Sequence, residues 1–279
     1  MLTGKVKMTV AGHRGDMYNC YENTMPSFEY AVKNGVEMVE TDVRVTKDGV
    51  LVLMHDETVA RTTDSEGLVR DKTYEEISKI NAGDEDSFCH IPTYEEFMAW
   101  AAEQNITLDI EIKEYNKTYG GFNNKERCDY CIDKVLELVD KYNMADKVVI
   151  NSFDAYVLQR IYELHGKKYM LHGYYPYGKF MWNIDKNPDE YLYCACIFST
   201  KNKSYYDYLL SKNIEPWIGA GVTQKKLLDG KYTDEGYDVM HVTLSTNREG
   251  PGSNPNAAGA KLQAEELAKF IKDNYPEFE

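Results

Sequence analysis

Short apolar runs with strand character alternate with amphipathic stretches at helical spacing along almost the whole of this 279-residue chain. That alternation restricts the fold more than any other feature. Residues 8–12 read as a first strand and 24–34 as a helix, with Asn23 or Thr24 as N-cap and Pro26 in the first turn, where a missing N–H costs little. Gly35 ends that helix. Met38–Val45 is the second strand, and 50–54 is a return segment after the turn Lys47-Asp48-Gly49. An irregular stretch, 57–91, is rich in Thr, Asp, Glu and Gly. Helix and strand then alternate: a helix at 94–104, a strand at 107–113, a helix at 125–142, a strand at 148–152, a helix at Ala155–His165 and a strand at 169–174. A short strand at 197–200, a helix at 203–212, a strand at 214–219, a helix starting at 224–228, a strand at 239–243 and a last helix at 264–274 complete the pattern.

Eight strands, mostly with a helix between, predict an α/β chain closed into a (β/α)8 TIM barrel rather than an open sheet. The length suits one barrel of about 250 residues, so 1–279 is expected to be a single domain, with 57–91 as a small insertion after the strand-two region. The doubly wound alternative lacks a G-x-G-x-x-G after its first strand. No internal repeat and no long linker divides the chain.

A net charge of −14 argues against nucleic acid as a partner and weakly against anionic membranes, but leaves room for a small anion held by local cations. No apolar run approaches the length of a membrane span, and Lys5–Lys7 lead straight into a strand, so the expected location is the cytoplasm, or outside the cell if a signal peptide has been removed. Cys128 and Cys131 have C-x-x-C spacing, but no second pair completes a zinc site; a helix with core-facing thiols is the expectation. Oligomeric state is not legible.

Catalytic groups of a barrel sit at the C-terminal ends of its strands. His13-Arg14-Gly15 follows the first strand. Glu40 and Asp42 lie two apart in the second, so they share a side of the sheet, as do Glu111 and Lys113 in the third. His55-Asp56 ends the return segment. Three converging carboxylates (Glu40, Asp42, Glu111) repel one another unless positive charge sits between them. One divalent cation with oxygen ligands, Mg²⁺ or Ca²⁺, answers that need; ion pairing to Arg44 or Lys113 is the alternative, and the matched Glu111-x-Lys113 favours the metal. Imidazoles at His13 and His55 can accept one proton and deliver another, while Arg14 and Lys113 can hold phosphate oxygens. Such a set is suited to phosphodiester hydrolysis.

At these residues the sequence resembles the glycerophosphodiester phosphodiesterase family. The matching runs come in order: His13-Arg14-Gly15, Glu22-Asn23-Thr24, Glu40-Thr41-Asp42-Val43, Asp48-Gly49, His55-Asp56, Arg61-Thr62-Thr63, Asn81-Ala82-Gly83, Ile91-Pro92-Thr93, Ile110-Glu111-Ile112-Lys113 and Ser152-Phe153. The resemblance implies a (β/α)8 barrel with an insertion at 57–91 and a divalent metal on Glu40, Asp42 and Glu111. It implies His13 and His55 as the acid–base pair, Arg14 and Lys113 on the phosphate, and Glu22 either near the metal or supporting a histidine. The implied reaction cleaves a small glycerophosphodiester to sn-glycerol 3-phosphate and an alcohol, with a glycerol hydroxyl as internal nucleophile and a cyclic phosphate that water opens.

The second half departs from the family. Where members carry a Trp-Thr-Val-Asn-like run on strand seven, this chain has Trp217-Ile218-Gly219-Ala220, which keeps the Trp that could wall a glycerol pocket. Where members end strand eight on Thr-Asp-x-Pro, it has His241-Val242-Thr243-Leu244-Ser245 and then a loop rich in Gly, Asn and Pro. An aromatic run that includes Tyr174, Tyr175, Tyr177, Phe180 and Trp182 reads either as a wall for a head group or lipid, or, more simply, as a loop packed on itself. Two other readings therefore stand beside the first: phospholipase-D-like cleavage of a lysophospholipid or other phosphodiester, and a catalytically silent barrel that binds phosphodiesters or a partner protein.

Overall fold

A computed structural model describes residues 9–116, 124–198, 203–219 and 241–244. Strand β1 (Thr9–His13) pairs in parallel with both β2 (Met38–Val45) and β9 (His241–Leu244). From β2 the ring runs through β4 (Thr107–Ile112), β5 (Val148–Asn151), β6 (Met170–Tyr175), β7 (Cys194–Ile197) and β8 (Glu215–Ile218) to β9, every neighbour parallel. Eight parallel strands thus close a barrel. The short β3 (Leu51–Leu53) lies antiparallel on β2 as an extra strand. Helices α1 (Met25–Lys33), α3 (Tyr94–Ala102), α4 (Lys125–Lys141), α5 (Ala155–His165) and α7 (Lys203–Ser211) cover the crossovers, and α2 (Tyr74–Ile77) and α6 (Tyr177–Phe180) are single turns.

Local chemistry explains these elements. Thr93 accepts the Glu96 N–H at 3.0 Å to cap α3, and Glu95 and Glu96 place negative charge at the positive end of its dipole. Tyr94, Phe97, Met98 and Ala101 then recur at helical spacing and are buried. Helix α5 starts on Asp154, whose side chain accepts from the Tyr156 N–H. Helix α4 buries both Cys128 and Cys131 with Ile132, Val135, Leu136 and Val139, and that burial pushes both thiols upward, away from reactivity.

Strand β2 is buried along all its residues, as a strand enclosed on both faces must be. Val39, Val43 and Val45 join the main core, and the alternate positions Glu40 and Asp42 point the other way, into the barrel. Residues 57–91 carry a second, smaller apolar cluster in which Val59, Val69, Ile77, Ile80, Ala82 and Ile91 pack with Val52 and Met54. The segment is anchored by this shared core at the end of β3, beside His55.

One expected strand is displaced. The run at 197–200 is not the strand; Cys194–Ile197 is, in register with β6 and β8. Burial of the two small thiols gives Cys-Ala-Cys the apolar character that an inside strand needs. Strand β6 likewise runs one residue later than expected. The helices expected at 224–228 and 264–274 lie outside the described residues.

Phe97 is fully buried against Phe28, with ring centroids 4.6 Å apart. Phe97→Ala is expected to lower unfolding free energy by about 3–5 kcal/mol in urea titrations followed by circular dichroism. Phe88→Ser, at a side chain 63% exposed, should stay within about 0.5 kcal/mol.

Candidate active site

The loop after β1 is built to turn back over the barrel mouth. Arg14 (φ 57°) and Asn23 (φ 56°) adopt the left-handed conformation, and Gly15 (φ 80°) sits where an added Cβ would fall 2.3 Å from Ser27 Oγ. Ser27 Oγ donates to the Arg14 carbonyl at 3.0 Å, and the Asn23 N–H donates to the same carbonyl at 3.1 Å. Arg14, Glu22 and Asn23 are thereby carried over β2.

Glu40, Asp42 and Glu111 converge there. They are buried, and they can each offer an oxygen with all three oxygens within 4.8 Å of one another. Their approach follows from register: Asp42 on β2 is paired with Glu111 on β4. Glu40 Oε2 accepts the Arg14 backbone N–H at 2.8 Å and lies 3.8 Å from His13 Nε2. Asp42 Oδ2 accepts from Asn23 Nδ2 at 2.9 Å and lies 3.3 Å from Arg14 Nε. Lys113 Nζ donates to Glu111 Oε1 at 2.8 Å and stands 3.6 Å from Asp42 Oδ1. The Tyr115 hydroxyl donates to Glu111 at 3.3 Å.

These contacts split the carboxylates electrostatically. Burial, and then the charge of Asp42, raise Glu40 well above the ordinary glutamate range. Asp42 is driven the other way: burial opposes its ionisation, but Lys113 and Arg14 outweigh it. Lys113 is held charged, since Glu111 more than offsets its burial. His13 is pushed down to about 3, by burial first and by Arg14 second, so its imidazole is neutral. Arg44, the other cation considered as a partner for the carboxylates, instead binds the carbonyls of His55 (2.7 and 3.0 Å) and Lys113 (3.3 Å). It ties together the two segments that deliver those side chains.

His55 belongs to a relay of alternating charge. Its Nδ1 is 2.6 Å from Asp56 Oδ1, and Asp56 Oδ2 accepts from Arg61 Nε at 2.5 Å. Arg61 donates two further bonds to Glu22, at 2.7 and 2.8 Å, and Glu22 Oε1 accepts from Arg14 Nη1 at 3.0 Å. Glu22 is therefore held between two guanidinium groups. Burial would raise it, but Arg61 and Arg14 lower it instead. Asp56 and Arg61 follow from the sequence only as parts of matching runs; nothing in spacing alone shows that the insertion returns Arg61 to the mouth.

The residues fit a hard divalent cation. Glu40, Asp42 and Glu111 present only oxygen, and Asp42 Oδ1 is buried with no hydrogen-bond partner among the described residues. Two cations, Arg14 and Lys113, flank the three carboxylates without separating them, so the electrostatic deficit remains at the centre.

A deeper layer escaped the sequence reading. Asp109 precedes Glu111 by two and so shares its side of β4; its two carboxylate oxygens lie 3.0 and 3.2 Å from His172 Nδ1 on β6. Trp217, expected to wall a glycerol pocket, is buried, with its ring centroid 4.6 Å from that of His172. Above them Phe153 stacks on Tyr174 (3.7 Å, 8°) and, at 5.9 Å, on Trp182. Phe198 lies beside this pair with its ring parallel, its centroid 5.3 Å from that of Tyr174 and 6.2 Å from that of Phe153. Tyr174 and Trp182 of the aromatic run join this stack, while Tyr175 packs with Tyr177, Tyr205 and Tyr208, and Lys113 Nζ stands 6.0 Å from the Phe153 ring centre. The strand-eight departures beyond Leu244 lie outside the described residues.

A closed (β/α)8 barrel with this charged mouth has clear relatives. The glycerophosphoryl diester phosphodiesterase family matches residues 13–186, and the chain belongs to that family. A Bacillus altitudinis glycerophosphodiester phosphodiesterase is 30% identical over 234 residues, which cover 81% of this chain and 82% of the relative. A Caldanaerobacter subterraneus glycerophosphodiester phosphodiesterase is 38% identical over 160 residues, 56% of this chain and 62% of the relative, so less than two thirds of that protein's length is spanned. Among solved structures, an Oleispira antarctica phosphodiesterase in complex with the product sn-glycerol-3-phosphate shares the fold with a TM-score of 0.66 at 21% identity, over 84% of this chain and 92% of that one.

The raised state of Glu40 gives a pH test. A carboxyl whose folded value is raised contributes stability below its unfolded value, and that contribution is lost as pH rises through the folded value. The metal-free protein should therefore lose stability as pH climbs above the ordinary glutamate range. Stabilisation by added Mg²⁺ or Ca²⁺ should grow over the same interval, because the cation competes with a proton. Melting temperatures with and without cation across a pH series measure this. A cation-induced rise that is independent of pH would remove Glu40 from the ligand set.

Proposed function

We propose that this protein hydrolyses glycerophosphodiesters to sn-glycerol 3-phosphate and an alcohol. The observation that carries the reading is the convergence of Glu40, Asp42 and Glu111 with His13, His55, Arg14 and Lys113 at one barrel mouth, in a chain of this family. A Mg²⁺ or Ca²⁺ ion held by the three carboxylates would supply the charge that lets a phosphodiester anion approach them and would polarise its P–O bonds. Arg14 and Lys113 bind the remaining phosphate charge.

A glycerol hydroxyl attacks phosphorus, and the bond from phosphorus to the alcohol oxygen breaks. His55 is suited to take the hydroxyl proton, because Asp56 on Nδ1 orients the ring and stabilises the imidazolium that forms. His13 serves the leaving oxygen; it is neutral in the free site, and the arriving anion favours its protonation. Water then opens the cyclic phosphate with the two roles exchanged. Glu22 and Arg61 act indirectly, by fixing Arg14 and Asp56.

Release of glycerol 3-phosphate from glycerophosphocholine should be abolished by a chelator and restored by a divalent cation. His13→Ala and His55→Ala should each lower kcat about a hundredfold to ten-thousandfold, and Glu40→Ala should do so at least as strongly. Asp56→Asn should cost less than His55→Ala, since the base survives without its orienting partner. Absence of turnover on every glycerophosphodiester tested, in protein shown to bind the cation, would favour the silent barrel instead.

One observation supports a second substrate. The rings of Trp182, Phe153, Tyr174 and Phe198 pack parallel on one another near Lys113, which leaves few ring faces for a cationic head group and suits alkyl chains better. Higher kcat/KM for choline release from a lysophosphatidylcholine than from glycerophosphocholine would establish the phospholipase-D-like reading.

A further inference from the structure

Beneath the carboxylates, one polar group is built in but not used. His172 is 3% exposed, and its Nδ1 faces both oxygens of Asp109. A carboxylate accepts, so Nδ1 carries the proton and Nε2 points away from Asp109. Nε2 is buried and has no hydrogen-bond partner among the described residues. Buried polar atoms without a partner are uncommon, and the group that completes one is a ligand or an ordered water. The surroundings favour a ligand. Asp109 is paired in register with Glu40, and Asn151, which donates to Asp109 at 3.5 Å, is paired with both Glu111 and His172. Trp217 packs on the His172 ring, and the Tyr174 hydroxyl spends its proton on Asn151 Oδ1 at 2.7 Å, so it does not donate to Nε2.

We propose that His172 is a substrate-binding residue whose Nε2 hydrogen-bonds the terminal hydroxyl of the glycerol moiety, and that Asp109 is the positioning residue that fixes its ring. The assignment rests on the glycerophosphodiesterase reading above and names the group that selects glycerol within it. A site that pairs a buried polar atom with a substrate hydroxyl rejects the analogue lacking that hydroxyl, because the atom is then left unpaired.

The test compares glycerophosphocholine with the phosphocholine diester of propane-1,2-diol, which keeps the secondary hydroxyl and lacks the terminal one. Wild-type enzyme should prefer the first by about tenfold or more in kcat/KM. His172→Asn keeps a donor toward Asp109 but places nothing at Nε2; it should erase the preference, with the loss falling on KM. His172→Gln places an amide near Nε2 and should recover part of it. Equal use of the two substrates by wild type, or a preference retained by His172→Asn, overturns the proposal. In ¹⁵N-histidine-labelled wild-type protein, the His172 Nε2 resonance should move on addition of glycerol 3-phosphate and not of inorganic phosphate. No movement with glycerol 3-phosphate means that a buried water alone completes the site, which also overturns it. If neither diester is hydrolysed, the activity reading fails by itself, and the resonance still decides the role of His172.

Discussion

Three carboxylates buried within one barrel mouth are the constraint on which the rest of this structure depends. Like charges at that separation in a poorly solvated site cannot all ionise unless something positive compensates them. The chain meets part of the demand itself. Lys113 leans on Glu111 and Asp42, Arg14 on Asp42, and Asn23 donates to Asp42. Among the described residues Glu40 receives a backbone N–H, a distant imidazole and the charge of Arg14, and it is the carboxyl that burial raises. The protein side of the site is therefore incomplete by about one cation. An anionic substrate cannot supply that charge; it can only follow it.

The second consequence is architectural. The cations at the mouth are themselves held in place by further carboxylates. Arg14 and Arg61 are both tied to Glu22, so neither is free to collapse fully onto the carboxylate cluster. Arg61 in turn holds Asp56, which holds His55. The insertion supplies Arg61, and it can do so reliably because it shares a small apolar core with β3. A segment that looks irregular along the chain is thus what links Arg14 to His55.

The barrel and the convergence of its first-half acids and bases are legible because they follow from short-range rules. Strand alternation put Glu40 with Asp42 and Glu111 with Lys113, and the register of parallel neighbours then brought Asp42 level with Glu111. The same rule, applied one step earlier, would have placed Asp109 inside the barrel. What it could not show is that Asp109 meets His172, since that contact depends on the pairing of β4, β5 and β6 and on which strands lie side by side. The strand at Cys194–Ile197 was misplaced for a related reason: thiols count as strand residues only once they are known to be buried. Charge partners across 39 positions, such as Glu22 and Arg61, leave no periodic signal at all.

His-Arg-Gly after β1 shows how backbone geometry and chemistry are joined at a single place. Arg14 lies at φ 57°, a conformation that costs an arginine of order 1 kcal/mol or more. The turn is held by the bonds that Ser27 and Asn23 make to the Arg14 carbonyl, and by Gly15, whose missing Cβ lets α1 approach. In that conformation one residue does two things. Its N–H fixes Glu40, and its guanidinium spans Glu22 and Asp42. The strain at Arg14 is therefore the local cost of aligning a carboxylate and a guanidinium on the same short turn, and it is sustained by Ser27 of helix α1 together with Asn23.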